Sequence, residues 1–270
     1  MTKELRTRVI SAVVALTLFI PVIYIGGVTF QLVLGLLAML ATAELMRMYK
    51  LAPNSIEGIL AMLGSFVLTL PLENYLPFLP TDGNYVAFTV IVFILMGSIV
   101  FHTGTYTYSE VVYPIASSFY IGVGFHNLAL ARMDSLNKLF FALLLVWATD
   151  IGAYMLGRQF GKRKLAPLVS PNKSIEGFLG GIASAVVVAA IYLIFSKEIR
   201  DVYSIPLMLV LAAVFSVVAQ FGDLVESAIK RRFGVKDSGN LIPGHGGILD
   251  RFDSVIFVFP IMHFLSLIHI

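Results

Sequence analysis

The chain has 270 residues, of which 58% are hydrophobic and 13% charged, with a mean hydropathy of +0.90; average soluble proteins carry about twice that share of charge. Such a composition excludes a soluble globular domain, and the formal charge of +3 bears on membrane sidedness rather than on nucleic-acid binding. With no cysteine present, neither a disulfide framework nor a cysteine zinc site is available.

A bilayer-spanning helix needs roughly 20 mainly apolar residues. Nine apolar runs approach that length: 9–25, 28–46, 59–79, 84–101, 111–131, 138–157, 177–196, 205–227 and 254–270. The third contains Glu73 and two prolines, and the ninth is only about 17 residues long. The first follows Lys3, Arg6 and Arg8 but is not succeeded by a small-residue cleavage site, so it reads as a retained span rather than a signal peptide. The fold class expected is therefore all-α, a polytopic integral membrane protein with about nine transmembrane helices. Residues 1–135 form N-terminal support helices, and 136–270 form a C-terminal catalytic region with polar loops at 158–176 and 228–253.

Short cytoplasmic loops collect Lys and Arg. With a cytoplasmic N-terminus and nine crossings, 15 of the 19 basic residues fall inside. Arg132, Lys138, Lys197 and Arg200 remain outside. Nothing basic marks 102–110, whose inside placement rests on alternation alone. This assigns the protein to the inner (cytoplasmic) membrane with its polar chemistry facing the cytoplasm.

Within 138–157, Asp150 shares a helical face with Tyr154 and Gly157. An unpaired aspartate in an apolar run costs several kcal/mol, so Asp150 is expected to face a polar cavity. In the loop that follows, SPNKSIEGFLGG offers Ser170 or Ser174 as a helix cap, Glu176 in the first turn, and Lys173 beside a helix N-terminus suited to phosphate; an ordinary helix start explains most of it. The Gly and Ala residues at 177–185 fit close helix packing. Further along, Gln220, Asp223, Ser227 and Lys230 recur at spacings of three and four, a polar stripe with Glu226 at its edge. An ionisable group at membrane depth is a functional candidate by default, so Asp223 is one. The alternative is a structural ion pair with a nearby Lys or Arg.

Downstream, Asp250 and Asp253 sit one helical turn apart. Helix capping is the plainer reading of Asp253. Hard divalent cations such as Mg²⁺ take one or two carboxylates and leave other positions to water and phosphate, which suits Asp223 with Asp250. Between these carboxylates lie Lys230, Arg231, Arg232 and Lys236, a cluster that anionic lipid headgroups would also attract. Pro243, Gly244, His245, Gly246 and Gly247 make a turn whose backbone N–H groups can approach an anion. His245 reads as a phosphate donor, an acid/base group or a turn residue. The remaining histidines, His102, His126, His263 and His269, read as structural.

The run from Ser227 to Asp253, SAIKRRFGVKDSGNLIPGHGGILDRFD, resembles the signature of the phosphatidate cytidylyltransferases, the CDP-diacylglycerol synthases. It matches at Ser227, Lys230, Arg231, Lys236, Asp237, Pro243, His245, Gly246, Gly247, Asp250, Arg251 and Asp253. Asp150 with GAYMLGRQFGK, SPNKSIEG and QFGDLVESAIKR are similar too, so the likeness covers roughly 147–260. The resemblance implies Mg²⁺-dependent transfer of CMP from CTP to phosphatidic acid, giving CDP-diacylglycerol and pyrophosphate, with membrane lipids as surroundings and no nucleic acid. It implies Asp223, Lys230, His245 and Asp250 as the catalytic set and Asp223 and Asp250 as metal ligands, with Asp253 joining them or orienting Arg251. Lys173, Ser174, Ser227, Arg231, Lys236, Gly246, Gly247 and Arg251 become substrate-binding candidates. A second cation and a homodimer stay open. Three rivals compete with this reading. A secondary transporter would commonly show repeated halves, whereas the charge here gathers at one face. A CTP-dependent lipid kinase would release CDP instead of pyrophosphate. A structural scaffold leaves the glycine-rich charged stretch without a purpose.

Overall fold

The computed structural model describes residues 3–101 and 107–268. Among these residues the chain is all-α except for one small hairpin, and each of the nine apolar segments contains a helix. The chain divides into two compact units, 1–129 with 237–251 and 130–236 with 252–270. Residues 237–251, read from the sequence with the C-terminal region, thus cluster with the N-terminal helices.

The first unit contains α1 (Lys3–Ile25), α2 (Gly27–Met48), α3 (Ile56–Thr69), a 3₁₀ turn at Leu72–Asn74, α4 (Gly83–Phe101) and most of α5 (Tyr108–Asp134). The chain passes from α1 to α2 through Gly26, whose φ of 64° is readily adopted only by glycine. Ser55 starts α3 by accepting the Gly58 N–H at 3.1 Å. Leu70 ends it in an extended conformation, φ −87° and ψ 134°, as a residue before proline prefers. The 59–79 run is therefore interrupted. Its 14-residue helix is about 21 Å long, short of the roughly 30 Å hydrocarbon layer. Helix α2 packs on α3, and α3 on α4, around Phe30, Leu34, Met46, Leu68, Leu95 and Phe125, all fully buried or nearly so.

The second unit holds α6 (Leu136–Phe160), β1 (Lys164–Ala166), β2 (Ser170–Ser174), α7 (Ile175–Phe195), α8 (Lys197–Arg200), α9 (Ile205–Arg232) and most of α10 (Leu249–Phe264). Strands β1 and β2 pair antiparallel, so the 158–176 loop is a short hairpin. Helices α6 and α7 make the most extensive helix–helix contact, and the reason is side-chain size. A Cβ placed on Gly177 would lie 2.7 Å from the Ala153 carbonyl oxygen and 3.0 Å from Gly157 Cα, so the two backbones pass at a distance only glycine permits. Helix α9 runs unbroken for 28 residues, about 42 Å. That exceeds the apolar layer and lets its last turns carry polar groups. It is keyed to α10 at Gly222, where an added Cβ would meet Asp253 O at 2.8 Å, and by the edge-on rings of Phe221 and Phe257, 5.9 Å apart.

Among the described residues, five helices, α2, α4, α6, α7 and α9, are long and apolar enough to cross a membrane. The molecule is an all-α polytopic membrane protein.

Candidate active site

A cavity of 460 Å³ lies within the second unit, lined by Asp150, Tyr154, Gly157 and Arg158 of α6, by Asn172, Lys173 and Ser174 of β2, by Gly177 of α7, and by Gln220 and Asp223 of α9. The Asp150, Tyr154 and Gly157 face read from the sequence thus lines one wall, and the Gln220–Asp223 stripe lines another. Gln220 is held by donating from Nε2 to the Phe178 carbonyl at 3.2 Å. Ser174 caps α7 by accepting the Gly177 N–H at 3.1 Å, which brings the positive end of that helix to the cavity wall. Glu176 secures the hairpin below it, accepting from the backbone N–H groups of Lys162 and Arg163 at 3.0 and 3.1 Å.

At the cavity wall, Lys173 Nζ stands 2.6 Å from Asp223 Oδ2, with the two side chains about a quarter and a third exposed. Ser227 donates to the other oxygen, Asp223 Oδ1, at 3.3 Å. The ion-pair alternative for Asp223 is therefore realised, and Lys173 is its partner. One turn further on, Lys230 pairs with buried Glu226. Arg231 donates from Nε to Val169 O at 3.3 Å and from Nη1 to Val235 O at 3.1 Å, tying the hairpin turn to the end of α9. Asp253 lies within electrostatic reach of Asp223, Asp150 and Lys230.

The glycine-rich stretch is organised inside the first unit. Ile242 and His245 close a tight turn through Ile242 N–H to Gly246 O and His245 N–H to Ile242 O, both 2.9 Å. Gly244 and Gly246 take φ of 76° and 80°, a geometry that L side chains resist. Asp250 Oδ2 accepts from Ser238 N–H at 2.8 Å and Gly247 N–H at 2.7 Å, and lies 2.9 Å from Ser238 Oγ. A Cβ on Gly246 would run into that same oxygen. His245 Nδ1 is 3.1 Å from Ser11 Oγ, and Ser11 donates to Pro243 O at 2.7 Å. With the serine proton so directed, the imidazole Nδ1 donates to Ser11. Lys236 and Arg251 are solvent-exposed.

The predicted residues are thus brought together in two groups. Asp150, Lys173, Ser174, Ser227, Lys230, Arg231, Asp223 and Asp253 belong to the second unit, and His245, Gly246, Gly247, Asp250 and Arg251 to the first. Among the histidines read as structural, His126 is buried with Nδ1 3.4 Å from Asn84 Nδ2; His102 and His269 lie outside the described residues. Sequence reasoning missed Arg158 and Asn172, which line the cavity. It also missed Glu44. That residue sits within the apolar run 28–46, and the rule that singled out Asp150, a charge inside a span, applies equally to it.

Among the described residues, no three carboxylate or histidine groups converge to hold a metal ion. The donor chemistry suits a hard cation all the same. Asp223 and Asp150 line one cavity, with Asp253 within electrostatic reach of both, and Mg²⁺ ordinarily takes only one or two carboxylates, completing its shell with water and substrate phosphate.

The fold defines a polytopic helical membrane protein, with a cavity in its second unit that Asp150, Arg158, Lys173 and Asp223 help to line. A family model described as the cytidylyltransferase family matches residues 6–269. The phosphatidate cytidylyltransferases of Staphylococcus haemolyticus (strain JCSC1435) and Staphylococcus saprophyticus (strain ATCC 15305) are 38% and 39% identical over 267 residues, covering 97% of this chain and 98% of each relative. That of Staphylococcus aureus (strain COL) is 36% identical over 261 residues, with the same coverage. The chain belongs to the cytidylyltransferase family and is an enzyme of the nucleotidyltransferase class.

Proposed function

We propose that the protein is a phosphatidate cytidylyltransferase of the inner membrane, working on CTP from the cytoplasm and on phosphatidic acid from the leaflet. A phosphate oxygen of phosphatidic acid attacks the α-phosphorus of CTP. The bond from that phosphorus to the bridging oxygen of the β-phosphate breaks, and pyrophosphate leaves with the electron pair. CDP-diacylglycerol remains in the membrane. The observation that carries this reading is the charged cavity beside the α7 N-terminus, with Lys173, Arg158 and Asn172 on its wall, in a chain that matches phosphatidate cytidylyltransferases along nearly its whole length.

Nucleotidyl transfer is accelerated chiefly by positioning and by charge stabilisation, and the nucleophile is already anionic near neutral pH, so a strong general base is unnecessary. In the second unit Lys173 and Arg158 would hold phosphate oxygens, joined by Lys230, Arg231 and Lys236, and His245 would do so in the first. Ser174, Ser227, Gly246, Gly247 and Arg251 would shape the binding surfaces. Asp223 with Asp253 in the second unit, and Asp250 in the first, would each offer carboxylate oxygens to Mg²⁺, which when bound supplies neutralisation of polyphosphate charge. The 15 basic residues counted inside support a cytoplasmic N-terminus.

The test incubates purified protein with phosphatidic acid, Mg²⁺ and each nucleoside triphosphate in turn. Pyrophosphate release and cytidine-labelled lipid with CTP are expected, and Asp250→Asn should cut turnover at least 1000-fold. Release of CDP with a phosphorylated lipid would make the protein a kinase and overturn the reading.

A further inference from the structure

Glu44 lies in α2, buried at 2% exposure, and among the described residues its hydrogen-bond donors lie in the glycine-rich stretch some 200 residues away in sequence. Its Oε1 accepts the Ile248 N–H at 2.8 Å. Its Oε2 accepts the Leu249 N–H at 3.0 Å and Ser238 Oγ at 2.8 Å. Ser238 Oγ is also 2.9 Å from Asp250 Oδ2, so its single proton lies within reach of both carboxylates. Gly239 and Gly247 face Glu44 so closely that a Cβ on either would press into its carboxylate; on Gly239 it would lie 2.8 Å from Oε1.

A buried carboxylate is costly unless it is fully hydrogen-bonded. Here the compensation comes from neutral groups, two of them backbone N–H groups at the start of α10, which are otherwise without partners at a helix N-terminus. A carboxylate with both oxygens accepting fixes those amides in position and angle. Glutamine cannot do this, because its NH₂ group would face an N–H or O–H donor whichever way it turned.

We propose that Glu44 is a positioning residue: it locks the backbone at Ser238 and at Ile248–Leu249 and so sets where Asp250 points. The catalytic part of this inference rests on the cytidylyltransferase reading; the locking part does not.

The test compares wild type, Glu44→Gln, Ser238→Ala and the double variant as full-length protein in detergent. Two readouts are taken, amide hydrogen exchange along the chain and steady-state cytidylyl transfer. Expected are at least tenfold faster exchange at Ile248 and Leu249 in Glu44→Gln with the rest of α2 unchanged. Turnover should fall at least tenfold with little change in KM for CTP, and the double variant should be no slower than the worse single one. Unchanged exchange at Ile248 and Leu249 would sink the proposal, as would protection lost evenly along α2, or losses of turnover that simply multiply. Absence of cytidylyl transfer in the wild type would fell the functional reading instead, while exchange still decides whether Glu44 locks the loop.

Discussion

Asp223 is both the ion-pair partner of Lys173 and the proposed metal ligand, and the two roles predict different outcomes for Asp223→Asn. The pair is 2.6 Å long, with side chains about a quarter and a third exposed. Fully exposed pairs contribute about 0.2–1 kcal/mol, and removing one partner of a fully buried pair costs about 3–5 kcal/mol. This intermediate exposure places the loss at about 1–2 kcal/mol. At about 2–4 °C per kcal/mol for a chain of this size, thermal midpoints of Asp223→Asn and Lys173→Met should each drop by a few degrees. The double variant should drop by less than the sum, because a single interaction is lost. Turnover should diverge from stability. Asp223→Asn should lose at least three orders of magnitude, about 4 kcal/mol of barrier, and should lose it equally when Lys173 is already Met. Lys173→Met, which removes one of several cations, should lose far less. The assay is cytidine-labelled lipid formed per folded protein, with folding followed by thermal melting in detergent. If Asp223→Asn costs no more turnover than Lys173→Met, and the double variant equals either, Asp223 is only the lysine's structural partner and its metal role is wrong.

Two further outcomes follow from packing and from pH. Gly177→Val forces a branched side chain against Ala153 O and Gly157 Cα, so the α6–α7 contact should open and the folded yield from membranes should collapse, whereas Gly97→Ala, at a site with nothing within 4 Å, should leave it intact. Glu198 accepts from Ser135 Oγ and from Asn137 Nδ2, and these bonds, the Ser135 one foremost, hold its carboxyl below the ordinary carboxylate value of 4.5. A depressed folded-state pKa contributes stability above the unfolded value that is lost as pH falls through the folded one. Wild type should therefore be more stable than Glu198→Gln at pH 7, and the gap should narrow as pH falls below the ordinary carboxylate value of 4.5, as read from thermal midpoints; a gap that does not narrow on acidification would contradict the assignment.

The helices were legible because apolar length is a direct physical requirement of the bilayer, and α9 was legible in finer detail because its polar stripe keeps helical spacing through Lys230. The interruption of the 59–79 run was written in Pro71, which forces Leu70 out of the helix. Ser174 was legible as a cap because capping is local. The organisation of the signature stretch was not. Its anchor, Glu44, is some 200 residues distant, and no local pattern says which buried carboxylate a set of backbone amides will find. The pairing of Lys173 with Asp223 was equally hidden, since from the sequence alone any of several cations was an eligible partner for that carboxylate.

The two units neutralise these acids by different chemistry. In the second unit, Asp223 and Glu226 are met by the lysines Lys173 and Lys230, each on a flexible four-carbon stem that rotates with little backbone change. In the first unit, Glu44 is met by backbone amides and a serine hydroxyl, donors fixed by the fold itself. A lysine can exchange one anion for another, so under the proposed function Lys173 can leave Asp223 for an arriving phosphate, freeing the carboxylate oxygen as the charge of the nucleotide enters. A backbone amide cannot leave without the loop moving. The lysine pairs therefore suit groups that change partner during a reaction cycle, and the amide-bound glutamate suits a group whose task is to keep a loop in one place.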